Sequence, residues 1–169
     1  MIKSEKPAIL SFVGHSNSGK TELITKIIPV LKNHGIRVGI IKHAGSPIVI
    51  DKKGKDSQRH FEAGANPAMV CSDHHMALFS RIKPEIKLKQ LAQRYFKDND
   101  LLLTEGFKQE KYPKIEVYRN DSQFKPLCLT DSSIVGIVTD YSNKSWAIPQ
   151  YNIDDIEGLA DYILQKLNL

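Results

Sequence analysis

The first forty residues pass from a short apolar run, through a polar stretch with glycines, to an apolar pattern with helical spacing. Ala8–Val13 is apolar and contains β-branched and aromatic residues, which predicts a strand. From Lys20 to Asn33 apolar side chains recur every three or four residues, which predicts an amphipathic helix that contains Pro29 and ends at Gly35. A second strand is predicted at 36–42. This order of strand, loop, helix and strand is typical of a βαβ unit with parallel strands.

The rest of the chain continues the alternation of strands and helices. After a predicted loop at 43–55, a short helix is expected from Asp56 or Ser57 to Ala63. Further strands are predicted at 68–72, 76–82, 101–104, 115–118 and Ile134–Thr139, and further helices at 84–96 and 153–167. No segment has the composition of a linker, so we predict a single domain over residues 1–169. The alternation predicts an α/β fold, a three-layer sandwich around a mainly parallel sheet.

Composition and charge narrow the range of partners. The 169 residues are 41% hydrophobic and 25% charged, and the net charge of +5 suits either nucleic acid or a small anionic ligand. The densest basic stretch, Lys52, Lys53 and Lys55, has no interleaved aromatic residue for base stacking, so nucleic acid is not an expected partner. No run approaches the ~18 apolar residues of a membrane span. Cys71 and Cys128 form no CxxC motif, so a reducing, cytoplasmic location is predicted.

The polar stretch between the first strand and the first helix reads GHSNSGKT and matches the pattern G-x-x-x-x-G-K-[ST] in full. In such a loop, backbone N–H groups at a helix N-terminus surround phosphate oxygens. The lysine reaches the β- and γ-phosphates, and the threonine hydroxyl ligates Mg²⁺. We therefore predict a fold of the P-loop NTPase type that binds a purine nucleoside triphosphate with Mg²⁺. The predicted nucleotide-binding residues are Gly14, His15, Ser16, Asn17, Ser18, Gly19, Lys20, Thr21 and Glu22, with Lys20 also catalytic.

A carboxylate at the end of another strand is expected to complete the magnesium site. Glu105 follows the apolar run 101–104 and precedes Gly106, which lets the backbone approach phosphate; a solvated acid after a strand is the alternative. Asp100 begins the same strand, ~14–17 Å from Glu105 at strand rise, and is predicted to be structural. Asp56 is predicted either to bind Mg²⁺ or position an attacking water, or to cap the helix that follows it, and one residue can do both.

Segments beyond the glycine loop carry a resemblance to a known family. GHSNSGKT, IKH, GKDSQRHFEAGA, LLLTEGFK and PKIEVYR, in this order, resemble the MobB family, molybdopterin-guanine dinucleotide biosynthesis protein B, over about two-thirds of the chain. The resemblance implies a homodimeric GTP-binding protein with weak GTPase activity. It also implies a role in assisting the partner enzyme MobA to attach GMP to molybdopterin, itself a further candidate ligand. No glutamine is placed like the water-orienting one of small GTPases, which predicts slow hydrolysis.

Carried over by position, the resemblance assigns the phosphates to residues 14–21 and Mg²⁺ to Thr21 with Glu105. It assigns Asp56 and Arg59 to a phosphate-sensing segment.

The same resemblance places Lys42 and His43 at the edge of the site. After His43 the family often carries more histidine, whereas this chain continues Ala-Gly-Ser-Pro, so no role is expected for such histidines. Lys108 either pairs with a phosphate or stays solvated. The Asn-Lys-x-Asp tetrad that usually reads guanine is absent. Asp140, which follows the strand Ile134–Thr139, is the candidate for reading the base, with an ordinary turn aspartate as the alternative.

Two other functions are compatible with the same glycine loop. A small-molecule kinase is expected to have an arginine-rich lid, but the arginines of this chain do not cluster in sequence. A metal-delivery GTPase usually shows CxxC or histidine-rich clusters, and here only His74 and His75 are adjacent. An accessory GTP-binding protein is therefore the preferred function.

Overall fold

The computed structural model describes residues 7–45, 47–48, 54–83, 85–120 and 123–169. The chain divides into two compact units. The first combines the residues up to His43 with those from Leu88 onward, and the second consists of residues 44–87. The prediction of a single domain over residues 1–169 is not tested by this division into two units.

The elements confirm the α/β class. In chain order they are β1 (Ala8–Val13), α1 (Lys20–Asn33), β2 (Val38–Lys42), α2 (Asp56–Glu62), β3 (Ala68–Cys71), β4 (Met76–Phe79), α3 (Leu88–Tyr95), β5 (Leu101–Glu105), β6 (Lys114–Tyr118), a 3₁₀ turn (Leu127–Leu129), β7 (Ile134–Thr139), β8 (Gln150–Asn152) and α4 (Ile156–Leu167). Six of the strands form one sheet in the order β2-β5-β1-β6-β7-β8. Every neighbouring pair in it is parallel.

Helices cover both faces of this sheet, which gives the predicted three layers. On one face α1 and α4 pack on the strands, and Phe12, Ile27 and Ile163 belong to one buried cluster. On the other face α3 packs through Leu88 against Ile9, in a second cluster. Strands covered on both sides have apolar residues at successive positions instead of an alternating pattern. This explains why the central strands read as continuous apolar runs in the sequence.

The first strand and the first helix have the bounds that the sequence predicts. Pro29 lies inside α1 on its exposed side, and the helix continues to Asn33. After the C-cap His34, Gly35 has φ of 80° and its N–H bonds to the Lys32 carbonyl at 2.9 Å. Gly35 therefore ends the helix, as predicted, by adopting a left-handed conformation that favours glycine.

Two helices begin later than predicted. Helix α3 begins at Leu88, and Pro84, predicted to open it, lies outside the described residues. The apolar spacing of the helix predicted at 84–96 places Tyr95 on its inner face, but in the structure Tyr95 is 40% exposed. Helix α4 begins at Ile156 instead of 153 because the Asp155 side chain caps it, accepting the Gly158 N–H at 3.1 Å.

The strand boundaries differ for local reasons. β2 begins at Val38 instead of 36, and the Arg37 N–H before it bonds to the Asp100 carboxylate at 3.1 Å. The Arg37 guanidinium also binds that carboxylate, at 2.9 and 3.0 Å, so Asp100 is structural, as predicted. β8 was not predicted, because Gln150–Asn152 is short and has no apolar pattern.

The second unit contains α2 and the antiparallel hairpin of β3 and β4. Both strands were predicted, although each ends earlier than expected. The Arg81 guanidinium lies 3.8 Å from the Phe61 ring centre and donates to the carbonyl of Ala65, which ties the hairpin to α2. None of the helices in the described part of the chain is long and apolar enough to cross a membrane.

Two buried charged side chains anchor the segments around β6. Lys114 Nζ donates to Asp131 Oδ2 at 2.8 Å and to the Lys108 carbonyl at 2.7 Å. The fully buried Glu116 accepts the N–H groups of Leu127 and Cys128, at 2.7 and 2.9 Å. Burial, reinforced by the charge of Glu116, raises the pKa of the Cys128 thiol to about 11, so that this thiol stays protonated at neutral pH.

A substitution at Gly39 tests the packing of β2 on the segment after α3. A Cβ at Gly39 would lie 2.9 Å from Cε1 of Phe96, well inside van der Waals contact. Gly39→Ala is therefore expected to lower the free energy of unfolding by about 1–3 kcal/mol, the usual cost of overpacking. Urea denaturation would measure this change, with Gly45→Ala as the control, because a Cβ there meets no atom of the described residues within 4 Å. Equal unfolding midpoints for the two variants would contradict this packing.

Candidate functional site

The carboxyl ends of the parallel strands bring the predicted site residues to one edge of the sheet. β1 runs into the loop 14–21, β5 ends at Glu105 and β2 ends at Lys42. The register places both Phe12 and Lys42 beside Glu105. This edge is where open α/β sheets bind ligands. The structure therefore places the loop, Glu105 and Lys42 together, as the sequence predicts.

The backbone of the loop has the tight curvature that its glycines allow. Gly14 and Gly19 have φ of 144° and 93°, and Asn17, at 63°, is also left-handed. A Cβ at Gly14 would lie 2.9 Å from Ser18 Oγ. Gly19 is the N-cap of α1, and its carbonyl accepts the Leu23 N–H at 2.9 Å. The loop therefore ends at the positive end of the α1 dipole, where anions are stabilised.

Two oxygen-bearing side chains meet beside the loop. Thr21 Oγ1 donates to Glu105 Oε1 at 2.9 Å. Lys42 Nζ lies 3.0 Å from the same carboxylate oxygen and 3.5 Å from the Thr21 hydroxyl. The Glu105 side chain is only 13% exposed, which argues against its being a merely solvated acid.

The hydroxyl oxygen of Thr21 and the carboxylate of Glu105 are suitable ligands for the predicted Mg²⁺. Mg²⁺ prefers oxygen ligands and is usually held by one or two protein side chains together with waters and phosphates. Within the described ranges no group of three or more His, Cys, Asp or Glu residues could hold a metal on its own. Thr21 and Glu105 are thus suited to Mg²⁺ that arrives with a nucleotide, and not to a metal bound by protein alone.

Positive charge exceeds negative charge around Lys20. Its Nζ donates to the His15 carbonyl at 2.6 Å and lies 3.4 Å from the Gly14 carbonyl. Burial lowers the pKa of Lys20; the Glu105 charge opposes this shift, and the nearby ammonium groups of Lys108 and Lys42 add to it. Three lysines and one carboxylate thus lie near one another, and such an excess of positive charge attracts a polyanion. Lys108 is exposed on this side, as either prediction for it requires.

The chain turns sharply after Glu105. Gly106 and Phe107 have φ of 96° and 53°, and the Gly106 N–H bonds to the Phe12 carbonyl at 3.0 Å. A Cβ at Gly106 would lie 3.2 Å from that of His43, whose ring meets the Phe107 ring edge-on with 5.3 Å between centroids. A left-handed phenylalanine is uncommon, and such backbone strain concentrates at functional sites. Gly106 therefore provides a tight turn beside His43, and the approach of its backbone to a phosphate stays a prediction.

Arg119 is a site residue that the sequence did not single out. It follows β6, and its Nε donates to the Ser18 carbonyl at 3.2 Å, so that it supports the loop from the β6 side. Its Nη1 lies 3.5 Å from Asp140 Oδ2, while Asp140 Oδ1 accepts the Asn120 N–H at 3.0 Å. These contacts are those of a turn aspartate, and base reading by Asp140 stays a prediction. The sequence feature that could have identified Arg119 is its position directly after β6, a strand that ends at the same edge of the sheet as the loop.

His15 lies half-buried in the loop beside a cavity of about 350 Å³. Its ring stacks on Phe124, with centroids 4.2 Å apart and planes 15° apart. Its Nε2 is buried and has no hydrogen-bond partner in the described structure. The loop residues Ser16, Asn17 and Ser18 also line this cavity. Glu22 lies exposed in the first turn of α1 and faces Lys26 at 3.7 Å, so its part in nucleotide binding stays a prediction.

Asp56 and Arg59 belong to the second unit. The interpretation of Asp56 as a helix cap is wrong, because the N-cap of α2 is Lys55 and Asp56 is the first helical residue. There its charge is favoured by the helix dipole. Its Oδ1 lies 3.7 Å from Arg59 Nη1, and both side chains are largely exposed. Roles in magnesium binding, catalysis and phosphate sensing stay predictions.

Comparison with known proteins identifies the family. The family model described as molybdopterin guanine dinucleotide synthesis protein B, MobB, matches residues 9–140. A molybdopterin-guanine dinucleotide biosynthesis adapter protein of Haemophilus influenzae is 40% identical over 156 residues, which cover 92% of this chain and 86% of that protein. The protein of the same name from Escherichia coli K12 is 36% identical over 161 residues, 93% and 91% of the two chains.

Solved structures agree with these relatives. The crystal structure of a molybdopterin-guanine biosynthesis protein B (mobB) has a TM-score of 0.78 at 30% identity and covers 95% of this chain and 99% of its own. The crystal structure of Bacillus subtilis MobB has a TM-score of 0.75 at 26% identity, with 95% and 98% covered. The match to the family model spans more than half of the chain, and the resemblance that the sequence segments show is confirmed. This chain is a member of the MobB family, molybdopterin guanine dinucleotide synthesis protein B.

Proposed function

We propose that the chain binds GTP with Mg²⁺ at the loop 14–21 and presents the nucleotide to a MobA-like guanylyltransferase. Membership of the family places the chain in molybdopterin-guanine dinucleotide biosynthesis, and its relatives are named adapter proteins of that process. The observation that carries the nucleotide proposal is the Thr21–Glu105 hydrogen bond beside a glycine loop with excess positive charge.

Different residues of the site would bind the phosphates and the Mg²⁺ of the nucleotide. The loop amides and Lys20 would bind the β- and γ-phosphate oxygens, with the lysine contributing charge-assisted hydrogen bonds. Thr21 and Glu105 would hold Mg²⁺, which supplies positive charge against the phosphates when bound. Lys42 forms an ion pair with the Glu105 carboxylate, and Lys108 adds an exposed positive charge at the edge. Together these groups suit a triphosphate better than a monophosphate, because each phosphate adds negative charge.

The same geometry supports presentation of GTP more than its hydrolysis. The Glu105 carboxylate already binds Thr21 and Lys42, so it is poorly placed to take a proton from water. Lys20 stabilises charge but cannot act as a base while it is protonated. We therefore propose a weak GTPase activity, with Asp56 as the candidate for positioning an attacking water.

The partner and the assembly belong to the same proposal. An adapter acts through an enzyme, and the MobA-like guanylyltransferase is the one that the product of the process requires. The proposed form is a homodimer. A cytoplasmic location is proposed because the thiols of Cys71 and Cys128 are both free, as is usual in a reducing compartment. Co-purification of a guanylyltransferase with the tagged chain, in the presence of GTP and Mg²⁺, tests the partnership. Recovery of equal amounts with a Lys20→Ala chain would argue against a nucleotide-dependent complex.

Glu105→Gln tests the magnesium site. The variant keeps the shape of the side chain but removes its charge, so it should reduce the gain in GTP affinity that Mg²⁺ provides by about tenfold, or ~1.4 kcal/mol. GTP affinity in EDTA should stay the same or improve, because one negative charge near the phosphates is gone. Calorimetric titration with Mg²⁺ and with EDTA measures both values.

The matched control for this experiment is Glu157→Gln, which removes an exposed carboxylate from the first turn of α4. It should leave both affinities unchanged. The proposal for Glu105 fails if Mg²⁺ strengthens GTP binding equally in the parent chain and in Glu105→Gln.

A further inference from the structure

The glycine loop packs against the end of β6. A Cβ at Gly14 would collide with the Val117 carbonyl oxygen, so the first residue of the loop touches the β6 backbone. At the other end of the loop, Arg119 Nε donates to the Ser18 carbonyl at 3.2 Å. A Cβ at Gly19 would lie 3.1 Å from Nη2 of the same guanidinium. Arg119 therefore contacts the loop next to the point where the chain enters α1.

The hydrogen bond from Arg119 sets the orientation of one peptide group. The peptide bond between Ser18 and Gly19 is trans, and in a trans peptide the carbonyl and the following N–H point in opposite directions. Because the Ser18 carbonyl points to Arg119, the Gly19 N–H points away from it. Within the described part of the chain this N–H has no hydrogen-bond partner. It is therefore available to an anion at the amino end of α1.

Without a partner for the Ser18 carbonyl, this peptide group could rotate. The rotation changes ψ of Ser18 and φ of Gly19, and glycine adopts positive and negative φ about equally well. The rotated form would turn the carbonyl oxygen, with its partial negative charge, towards the anion. Arg119 opposes that rotation, because its charge-assisted hydrogen bond would be lost.

Asp140 holds the guanidinium from another side. Its Oδ2 lies 3.5 Å from Arg119 Nη1, and its Oδ1 accepts the N–H of Asn120 at 3.0 Å. Arg119 follows β6 and Asp140 follows β7, two neighbouring parallel strands, which keeps the two side chains close. The side chains of Arg119 and Asp140 are 34% and 40% exposed, and ion pairs at such positions contribute little to stability. The orientation of the guanidinium is therefore the main consequence of this pair.

We propose that Arg119 is a positioning residue of the nucleotide site, which directs the Gly19 N–H towards a phosphate oxygen by holding the Ser18 carbonyl. Asp140 acts through Arg119 by orienting its guanidinium, a role that requires no contact with the nucleotide base. The inference rests on the proposed function, because the loop must bind phosphate for this N–H to have a ligand. The group that it recognises is the phosphate chain, whatever is attached to that chain.

The test uses the full chain and two probes, magnesium tripolyphosphate and Mg²⁺–GTP. Arg119→Met keeps the length of the side chain but removes its donors, and it should weaken the binding of both probes about tenfold. Arg119→Lys can still donate to the Ser18 carbonyl and should recover part of this loss. The melting temperature of both variants should stay close to that of the parent chain, because the ion pair is largely exposed.

A double-mutant cycle tests the role of Asp140. Asp140→Asn should weaken the binding of both probes about threefold in the parent chain. It should have no further effect in Arg119→Met, because the residue through which it acts is then gone.

The amide proton of Gly19 gives a direct readout that a merely structural role would not change. In the ¹⁵N-labelled parent chain its resonance should move downfield on addition of magnesium tripolyphosphate, and this shift should be smaller in Arg119→Met. Arg37→Met is the matched control, because it breaks another arginine–aspartate pair, with Asp100, at the opposite ends of the strands. Any loss of stability in this control should leave both affinities and the Gly19 shift unchanged.

The inference is overturned if Arg119→Met binds tripolyphosphate as tightly as the parent chain does. Weaker binding of Mg²⁺–GTP alone would also overturn it, because the arginine would then act on the base or the ribose. An effect of Asp140→Asn that persists in Arg119→Met would show that Asp140 does not act through Arg119. Failure of the proposed function has a different signature, since the parent chain would then bind neither probe.

Discussion

Replacing Lys20 with alanine is expected to weaken the binding of Mg²⁺–GTP by about a hundredfold, or ~2.7 kcal/mol. The ammonium group is held at the mouth of the loop by the His15 carbonyl, so little conformational entropy is lost when it turns to a phosphate. Lys42 is not expected to replace it, because its ammonium group is paired with Glu105. Calorimetry or displacement of a fluorescent GTP analogue would measure the loss.

The stability of this variant separates a binding effect from a folding effect. Burial and the neighbouring lysines lower the pKa of Lys20, which means that its charge is disfavoured in the folded protein without a ligand. Lys20→Ala should therefore leave the melting temperature unchanged or slightly raised. Lys32→Ala, in the last turn of the same helix, is the control and should keep full affinity. Retention of GTP affinity in Lys20→Ala, with Mg²⁺ present, would refute nucleotide binding at this loop.

The second large effect is expected on stability, from Lys114→Ala. The Lys114 side chain is 3% exposed, and its ammonium group binds both Asp131 and the Lys108 carbonyl. Its removal takes a donor from the Lys108 carbonyl and leaves the partly buried Asp131 carboxylate with only its hydrogen bonds from Ser133, a loss that typically costs about 3 kcal/mol. Denaturant titration would measure the change. Lys111→Ala, at an exposed position nearby, should cost less than about 0.5 kcal/mol.

The pH dependence of Lys114→Ala provides an independent measurement. Burial tends to raise the pKa of Asp131, but the hydrogen bonds from Lys114 and Ser133 outweigh it, so the pKa lies below its ordinary value. A carboxyl whose pKa is lowered by folding stabilises the protein above its unfolded pKa, and this stabilisation is lost as the pH falls through the folded pKa. In Lys114→Ala the loss of stability below about pH 4 should become shallower. An unchanged acid dependence would show that this pair does not stabilise the fold.

The sequence predicted those helices and strands whose apolar spacing and end residues lie within a single segment of the chain. Helix α1 has clear apolar periodicity, the strands β1 and β7 are continuous apolar runs, and all three are predicted with their bounds. The strand order was not predictable, because β1 pairs with two strands far along the chain. The start of α4 was also missed, since an aspartate cap is decided by one side-chain hydrogen bond.

The site was predictable to the extent that single residues have fixed roles. The glycine-loop motif identified Lys20 and Thr21 as site residues, and the position at the end of an apolar strand identified Glu105. The structure places Glu105 in hydrogen-bond contact with Thr21. Arg119 and Phe124 could not be found in this way. Their proximity to the loop depends on β6 lying next to β1, and no local pattern carries that information.

The position of β1 at the centre of an all-parallel sheet also has a consequence for biosynthesis. Ala8 pairs with Leu101 and Val13 with Glu116, so both partners of β1 are made long after β1 itself. Pairing at such sequence separation is slow, because a long loop must close before any contact forms. On the ribosome, we therefore expect the loop 14–21 to emerge early but to acquire its curvature only after β6 has been synthesised. The proposed nucleotide binding should be one of the last properties that the nascent chain gains, and until then its exposed apolar strands are prone to aggregate.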